Sequence, residues 1–301
     1  MPKLQDGLAL TTPENIEIDI SVGSISNLTN GLAQPTLESI EADFKASLKL
    51  LPTRDIPERS FNLTDLVPVV FPPFPALQSA APQSNAPAGD ASKRREYYQG
   101  ATPFYMFYSF KGEPIEVELQ AGARGKQGMA KWGLYKPDGK GGWTVMTSGE
   151  IPTDRTVQTL SLKVPEKGLY ALRFRPGSMA GYITYTTDKP GTVVATGAKD
   201  FKSPFIYVPK GTREIWVSFN HCNGGSQSLL QPDGKEALKL NSGVYTIPVP
   251  EGMDGQLWRF SPRSRLRMQH FFNIPNLVAA TPEALMVPRE VAEKDGLQIR
   301  R

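Results

Sequence analysis

The chain has 301 residues, enough for two domains of ordinary size plus an extension. Hydrophobic residues make up 39% and charged residues 21%, which excludes a wholly disordered chain, and a net charge of +4 is too small for a nucleic-acid signature. A single cysteine, Cys222, excludes an intrachain disulfide, no apolar run is long enough to span a membrane, and the first residues lack the apolar centre of a signal peptide.

The first 67 residues read as a small mixed extension. Residues 16–22 alternate apolar and polar side chains, which predicts a strand with one buried face. Leu37, Ile40, Phe44, Leu48 and Leu51 recur at spacings of three and four. That is an amphipathic helix, with Thr36 as its N-cap and Pro52 at its end. So small a piece cannot bury its own core, and the favoured partner is a further domain upstream. Residues 68–96 read as a linker. Its start, Pro68-Val69-Val70-Phe71-Pro72-Pro73-Phe74-Pro75, is a semi-rigid spacer, and Lys93-Arg94-Arg95 closes it.

From there the chain is written twice. Thr102-Pro103-Phe104-Tyr105 opens one copy and Ser203-Pro204-Phe205-Ile206 the other, each with a Pro-Asp-Gly-Lys tetrad, at 137–140 and 232–235. Each then carries Val-Pro-Glu (164–166 and 249–251) and a strand ending in Arg-Phe (Arg173-Phe174 and Arg259-Phe260). The offsets, 204 − 103 = 101, 232 − 137 = 95, 249 − 164 = 85 and 259 − 173 = 86, shrink and level off, so the second copy has shorter loops. Ile115, Val117 and Leu119 alternate with Glu116 and Glu118 in the first copy, as Ile215, Val217 and Phe219 alternate with Trp216 and Ser218 in the second. Short alternating strands between turn signals predict an all-β fold: two tandem antiparallel, jelly-roll-like β-sandwich modules at 97–188 and 199–272. In the tail, 273–301, Thr281-Pro282 reads as a helix start and Pro288 as its stop.

Catalytic signals are few. His221 and Cys222 are adjacent, so on a strand they face opposite sides and form no dyad, while His270 reads as an ordinary strand residue. No nucleophile elbow, zinc-protease helix, phosphate loop or Cys-x-x-Cys occurs, so the expectation is no enzyme activity and no cofactor. Asp138 and Asp233 could be Ca2+ ligands, but a plain turn, the favoured reading, explains both without a metal.

The binding candidates are aromatic and basic. Alternation puts Trp216 opposite Ile215, Val217 and Phe219, where its ring is either an intermodule contact, the favoured use, or a sugar-stacking platform. Trp143 follows a turn, with Tyr135 as a companion. Arg263, Arg265 and Arg267 alternate and would share one face of an extended segment, to grip an anionic glycan or, more commonly, to protect a sheet edge.

The first copy resembles the bacterial pre-peptidase C-terminal type of β-sandwich. The matching residues are Phe104-Tyr105-Met106-Phe107, Lys111-Gly112 before the strand at 115–119, Leu134-Tyr135-Lys136-Pro137-Asp138-Gly139, and the Pro165 to Leu172 stretch with its Gly-x-Tyr-x-Leu entry. The second copy departs from it, with Gln256-Leu257-Trp258-Arg259 where Tyr170-Ala171-Leu172-Arg173 stands in the first. The resemblance implies a non-catalytic appendage of a larger secreted bacterial enzyme, often a hydrolase, extracellular or periplasmic, with an adjacent catalytic domain as partner. It implies no one fixed ligand, and the expectation of a polysaccharide or glycan partner comes from the aromatic candidates. The two functional expectations are a glycan-associated binding pair and a scaffold that packs a catalytic domain.

Overall fold

The computed structural model describes residues 8–11, 17–20, 59–71, 93–99, 104–122, 128–176, 180–186, 191–194, 199–202, 204–219, 227–240, 243–261, 265–267 and 269–301. Residues 1–55 and 56–301 form separate compact units. In the first, β1 (Leu8–Thr11) pairs antiparallel with β2 (Glu17–Ile20), which lies inside the strand expected at 16–22. The helix expected at 37–51 lies outside the described residues.

The second unit opens with β3 (Leu66–Val70), β4 (Lys93–Gln99), β5 (Phe104–Ser109), β6 (Ile115–Gly122), β7 (Met129–Pro137) and β8 (Trp143–Pro152). Next come β9 (Asp154–Leu162), β10 (Gly168–Arg175), β11 (Ala180–Thr186), β12 (Gly191–Val194), β13 (Lys199–Lys202) and β14 (Phe205–Val208). The chain continues through β15 (Glu214–Phe219), β16 (Gln227–Leu230), β17 (Glu236–Leu240), β18 (Gly243–Pro248), β19 (Gln256–Phe260), β20 (Arg265–Arg267) and β21 (Gln269–Phe271). It ends with β22 (Leu277–Ala279), β23 (Met286–Pro288), helix α1 (Arg289–Asp295) and β24 (Gln298–Ile299). Among the described residues the fold is mostly β, in antiparallel sheets with one short helix.

Ten of these strands form one sheet, ordered β17-β16-β19-β14-β22-β12-β5-β10-β7-β8. Matching strands by the sequence repeat (β5 with β14, β7 with β16, β8 with β17, β10 with β19, β12 with β22) makes that order a palindrome. Its centre is the pair Val193↔Val278, flanked by Thr192↔Ala279 and Val194↔Leu277. The offset there, 278 − 193 = 85, equals the offset between the two Val-Pro-Glu motifs. Phe104 sits opposite Arg173 in one half, and Phe205 opposite Arg259 in the other. Residues 97–188 and 199–272 are therefore not separate bodies: β12 and β22, both beyond those bounds, join them edge to edge.

One face of the long sheet meets the four-stranded sheet β4-β11-β6-β9 and the sheet β18-β15-β21, while β13 and β20 pair as a separate two-stranded sheet. A continuous core joins these layers, with Phe107, Leu134 and Leu172 from one half and Ile206, Val217 and Trp258 from the other, around Val193 and Val278. Alternation sends the neighbouring residues Met106, Ala171, Phe205 and Leu257 to the opposite face, where they pack with Leu66, Val67, Val69, Val291 and Ala292 in a second core. That face is capped by α1 and by the sheet β23-β3-β24.

The cap differs from the expectations for both ends of the chain. The linker expected over 68–96 begins inside β3, whose Leu66, Val67 and Val69 are buried. Pro68 is accommodated because β23 pairs only with 66–68, β24 takes over at Val69 and Val70, and the Pro68 carbonyl accepts the Arg300 N–H at 2.9 Å. The linker's far end falls in β4, and residues 72–92 lie outside the described residues. The helix expected from Thr281 is a single turn, in which the Thr281 hydroxyl and carbonyl both accept the Ala284 N–H at 3.2 Å. Met286 is then drawn into β23, donating its N–H to Thr192 Oγ1 at 2.8 Å. Pro288, expected to stop a helix, instead precedes α1, whose C-cap Gly296 takes a left-handed φ of 70°.

Candidate functional site

Two clefts bring together chemically capable side chains. The first lies on the capped face of the long sheet, beyond the cap, where β8, β7 and β10 run side by side. Strand alternation places Lys131, Gly133 and Tyr135 of β7 beside Arg173 and Arg175 of β10. Tyr135 bends over Gly133, where a Cβ would come within 2.9 Å of the ring, so only glycine lets the phenol lie flat there. Phe104 joins the group: its ring is 5.7 Å from Tyr135, edge on, and 5.8 Å from Trp143, stacked. The Arg173 guanidinium lies over the same Phe104 ring at 5.2 Å. The adjoining cleft, of about 270 Å3, is lined by Lys131, Gly133, Tyr135, Arg173 and Arg175 together with Trp132, Ser148, Gly149 and Glu150. Lys131 and Glu150 face each other across it at 3.5 Å.

The structure thus brings together Trp143 and Tyr135, two of the expected site residues, through Phe104. Sequence reasoning missed Arg173, although the repeat held the signal, because two of its landmarks, the opening Phe and the closing Arg, meet in both halves. Arg259 lies over Phe205 at 5.2 Å, as Arg173 lies over Phe104. The copies differ in what covers them. Arg259 is 3% exposed beside the second core, and burial lowers its pKa, whereas Arg173 is only half-buried and lines the cleft. Aligning the two Pro-Asp-Gly-Lys tetrads puts Leu230 at the place of Tyr135 and Leu238 at that of Trp143, so the aromatic pair belongs to the first copy alone.

The second cleft, of about 520 Å3, lies at the β14–β15 turn and is lined by Arg59, Lys210, Arg213, Glu214, Trp216 and Lys294, with smaller residues between them. Trp216 is 8% exposed, so its ring packs into this wall and does not stand free as a platform. Its backbone N–H donates to Asn273 Oδ1 at 2.9 Å, while Asn273 Nδ2 donates to the Glu214 carbonyl at 2.7 Å. Lys210 is held at both ends: its stem lies against Gly255, and its Nζ donates to the Asp295 carbonyl at 2.6 Å. The Asp295 carboxylate is 1% exposed, and its Oδ2 accepts the Tyr207 hydroxyl and the Lys210 N–H, each at 2.8 Å. Burial and this carboxylate push the Tyr207 pKa far up.

The other expected residues are scattered. Arg263 lies outside the described residues, as do His221 and Cys222. Arg265 and Arg267 stand in β20, in register with Lys202 and Lys199 of β13, so this segment is a paired strand. His270 Nδ1 is 3.2 Å from Asn276 Nδ2, and its ring meets Phe272 edge on at 4.8 Å. Asp138 Oδ1 accepts the N–H groups of Lys140 and Gly142 at 2.7 and 2.8 Å, and these bonds lower its pKa. Asp233 accepts the Lys235 N–H at 3.0 Å and pairs with its ammonium at 2.9 Å, which lowers its pKa as well. Both act as turn-forming acceptors. Among the described residues no group of three or more His, Cys, Asp or Glu is arranged to hold a metal ion, and no helix is long and apolar enough to cross a membrane.

Comparison with protein-family models, with curated proteins and with solved structures finds no match to this chain. The resemblance to the pre-peptidase C-terminal type rests on the residues quoted for it.

Proposed function

We propose that this chain is a non-catalytic, glycan-binding pair of tandem jelly-roll-like β-sandwiches of the pre-peptidase C-terminal type, part of a larger secreted bacterial protein. The observation that carries this reading is the meeting of Trp143 with Tyr135, which also lines the 270 Å3 cleft, around the Phe104 ring. Sugar rings present apolar C–H faces and a fringe of hydroxyls. Aromatic faces cover the former, while Ser148, Glu150, Lys131 and Arg173 supply acceptors and donors for the latter. The test is retention of residues 56–301 on a panel of insoluble neutral polysaccharides, with Trp143→Ala and Tyr135→Ala alongside. Retention of the parent and its loss in both variants supports the platform; equal retention in all three removes it.

A second reading, a scaffold that packs a neighbouring catalytic domain, is favoured by the burial of Trp216 and by exposed apolar side chains on the long sheet's β7–β8 end. Met129 is 55% exposed and Val145 53%. Protection of β7 and β8 from hydrogen exchange on adding the catalytic domain, with no polysaccharide retained, is the result expected of a scaffold.

A further inference from the structure

We propose that the cleft around Trp216 is a second ligand site, built for a saccharide that carries carboxylate or sulfate groups. Four cationic side chains converge there from three separate stretches of chain: Arg59 before β3, Lys210 and Arg213 in the β14–β15 turn, and Lys294 in the last turn of α1. Among the described residues Glu214 is the one carboxylate in the lining. Elsewhere some surface cations face acidic neighbours, as Arg289 faces Asp65 at 3.1 Å and Lys235 faces Asp233 at 2.9 Å. Among the described residues Arg59, Arg213 and Lys294 have no such carboxylate partner, so their charges add within one concave space.

The site is rigid where it needs to be. Arg59 is anchored through its backbone N–H to the Phe272 carbonyl at 2.7 Å, and its guanidinium lies over Phe61 at 4.9 Å. Lys210 is pinned between Gly255 and the end of α1, and Asn273 ties Trp216 to Glu214. The side-chain freedom lost when an anion arrives is then chiefly that of the exposed Arg213 and Lys294. A cleft of about 520 Å3 is the size of a small-molecule pocket, larger than a bare oxyanion fills. The buried indole edge supplies an apolar wall for a ring, and arginine forks match carboxylate and sulfate oxygens two at a time.

This site is independent of the Tyr135–Trp143 platform, and the experiment separates them. Calorimetric titration of residues 56–301 with oligogalacturonate, a sulfated oligosaccharide, a neutral oligosaccharide and inorganic phosphate is run on the parent and on three variants. The double substitution Arg213→Gln/Lys294→Gln changes exposed side chains and should weaken binding of an acidic oligosaccharide by about tenfold or more. Added salt should weaken the parent more than the double variant. Glu214→Gln removes the opposing carboxylate and should tighten binding severalfold, while Trp143→Ala should leave it unchanged. No binding of either acidic oligosaccharide, or equal binding by parent and double variant, overturns the proposal. So does inorganic phosphate binding as tightly as the acidic sugars. Which acidic sugar binds more tightly identifies the group, carboxylate or sulfate, that the site takes.

Discussion

Single residues carry two kinds of polar burden in this molecule, buried and solvated. Asp295 is the buried one. Among the described residues its Oδ1 has no hydrogen-bond partner, so the carboxylate is held through the two donors to Oδ2. Tyr207→Phe keeps the ring and its contact with Phe71 but removes one donor. The expected loss is about 1–3 kcal/mol of stability, the cost of a buried acceptor left short, measured as a lower urea midpoint at unchanged slope. Asp138 is the solvated one. Its folded pKa lies below its unfolded value, so its contribution is complete above about pH 4 and fades as pH falls through the lower folded value. Amide exchange at Lys140 and Gly142 should accelerate over that acid window, and Asp138→Asn should flatten the dependence. The turn itself was legible in the sequence, because Pro-Asp-Gly-Lys specifies its geometry locally. Asp295 was not, since its partners lie 88 and 85 positions away in the chain.

At the scale of elements, alternation was the most reliable guide, and prolines the least. Strand β6 alternates buried and more exposed positions as its sequence does, and β15 buries Ile215, Val217 and Phe219 as expected. Trp216 is buried as well, because Asn273, Arg59 and the end of α1 close over the face that alternation alone assigns to solvent. Proline misled at both ends of the cap, where Pro68 and Pro288 sit in or beside short strands whose pairing changes partner near them. Close glycine contacts specify the central strands. In β12, a Cβ on Gly191 would run into the Tyr105 ring, which is 2% exposed and has nowhere to move. Gly191→Ala should cost about 1–3 kcal/mol through overpacking, seen as a lower Tm. Gly139→Ala, at a turn position with φ of 74° and nothing within 4 Å, should cost only its backbone strain, about 1 kcal/mol.

At the scale of the whole molecule, the shared ten-stranded sheet makes 56–301 a single cooperative body. The first core runs unbroken from Phe107 to Phe271, and the cap's Leu66 and Val291 share the second core with Met106 and Phe205. Calorimetry on this unit should give one transition, with calorimetric and van't Hoff enthalpies in agreement. Cutting the chain within 195–198 should leave halves that do not fold apart, because each would expose the β12 or β22 edge and half of the capped face. Two separate melting transitions would mean that the halves behave as independent modules despite the common sheet.

Local chemistry decided what the sequence could decide by itself: strand alternation, the Asp-Gly turns and the order of the repeated landmarks all depend on neighbours within a few positions. The offset of 85 recurs at the centre of the seam, where Val193 meets Val278, while on either side it runs from 279 − 192 = 87 to 277 − 194 = 83, because antiparallel pairing reverses the direction of one strand. Only the tertiary structure decided which faces are covered and which charges gather. The cap joins residues near 66 to residues near 290, burying Arg259 while its counterpart Arg173 lines a cleft. Arg59, Arg213 and Lys294 become one cationic cleft only after three distant segments meet. Burial and summed charge depend on every element packed nearby, and no local pattern in the chain encodes them.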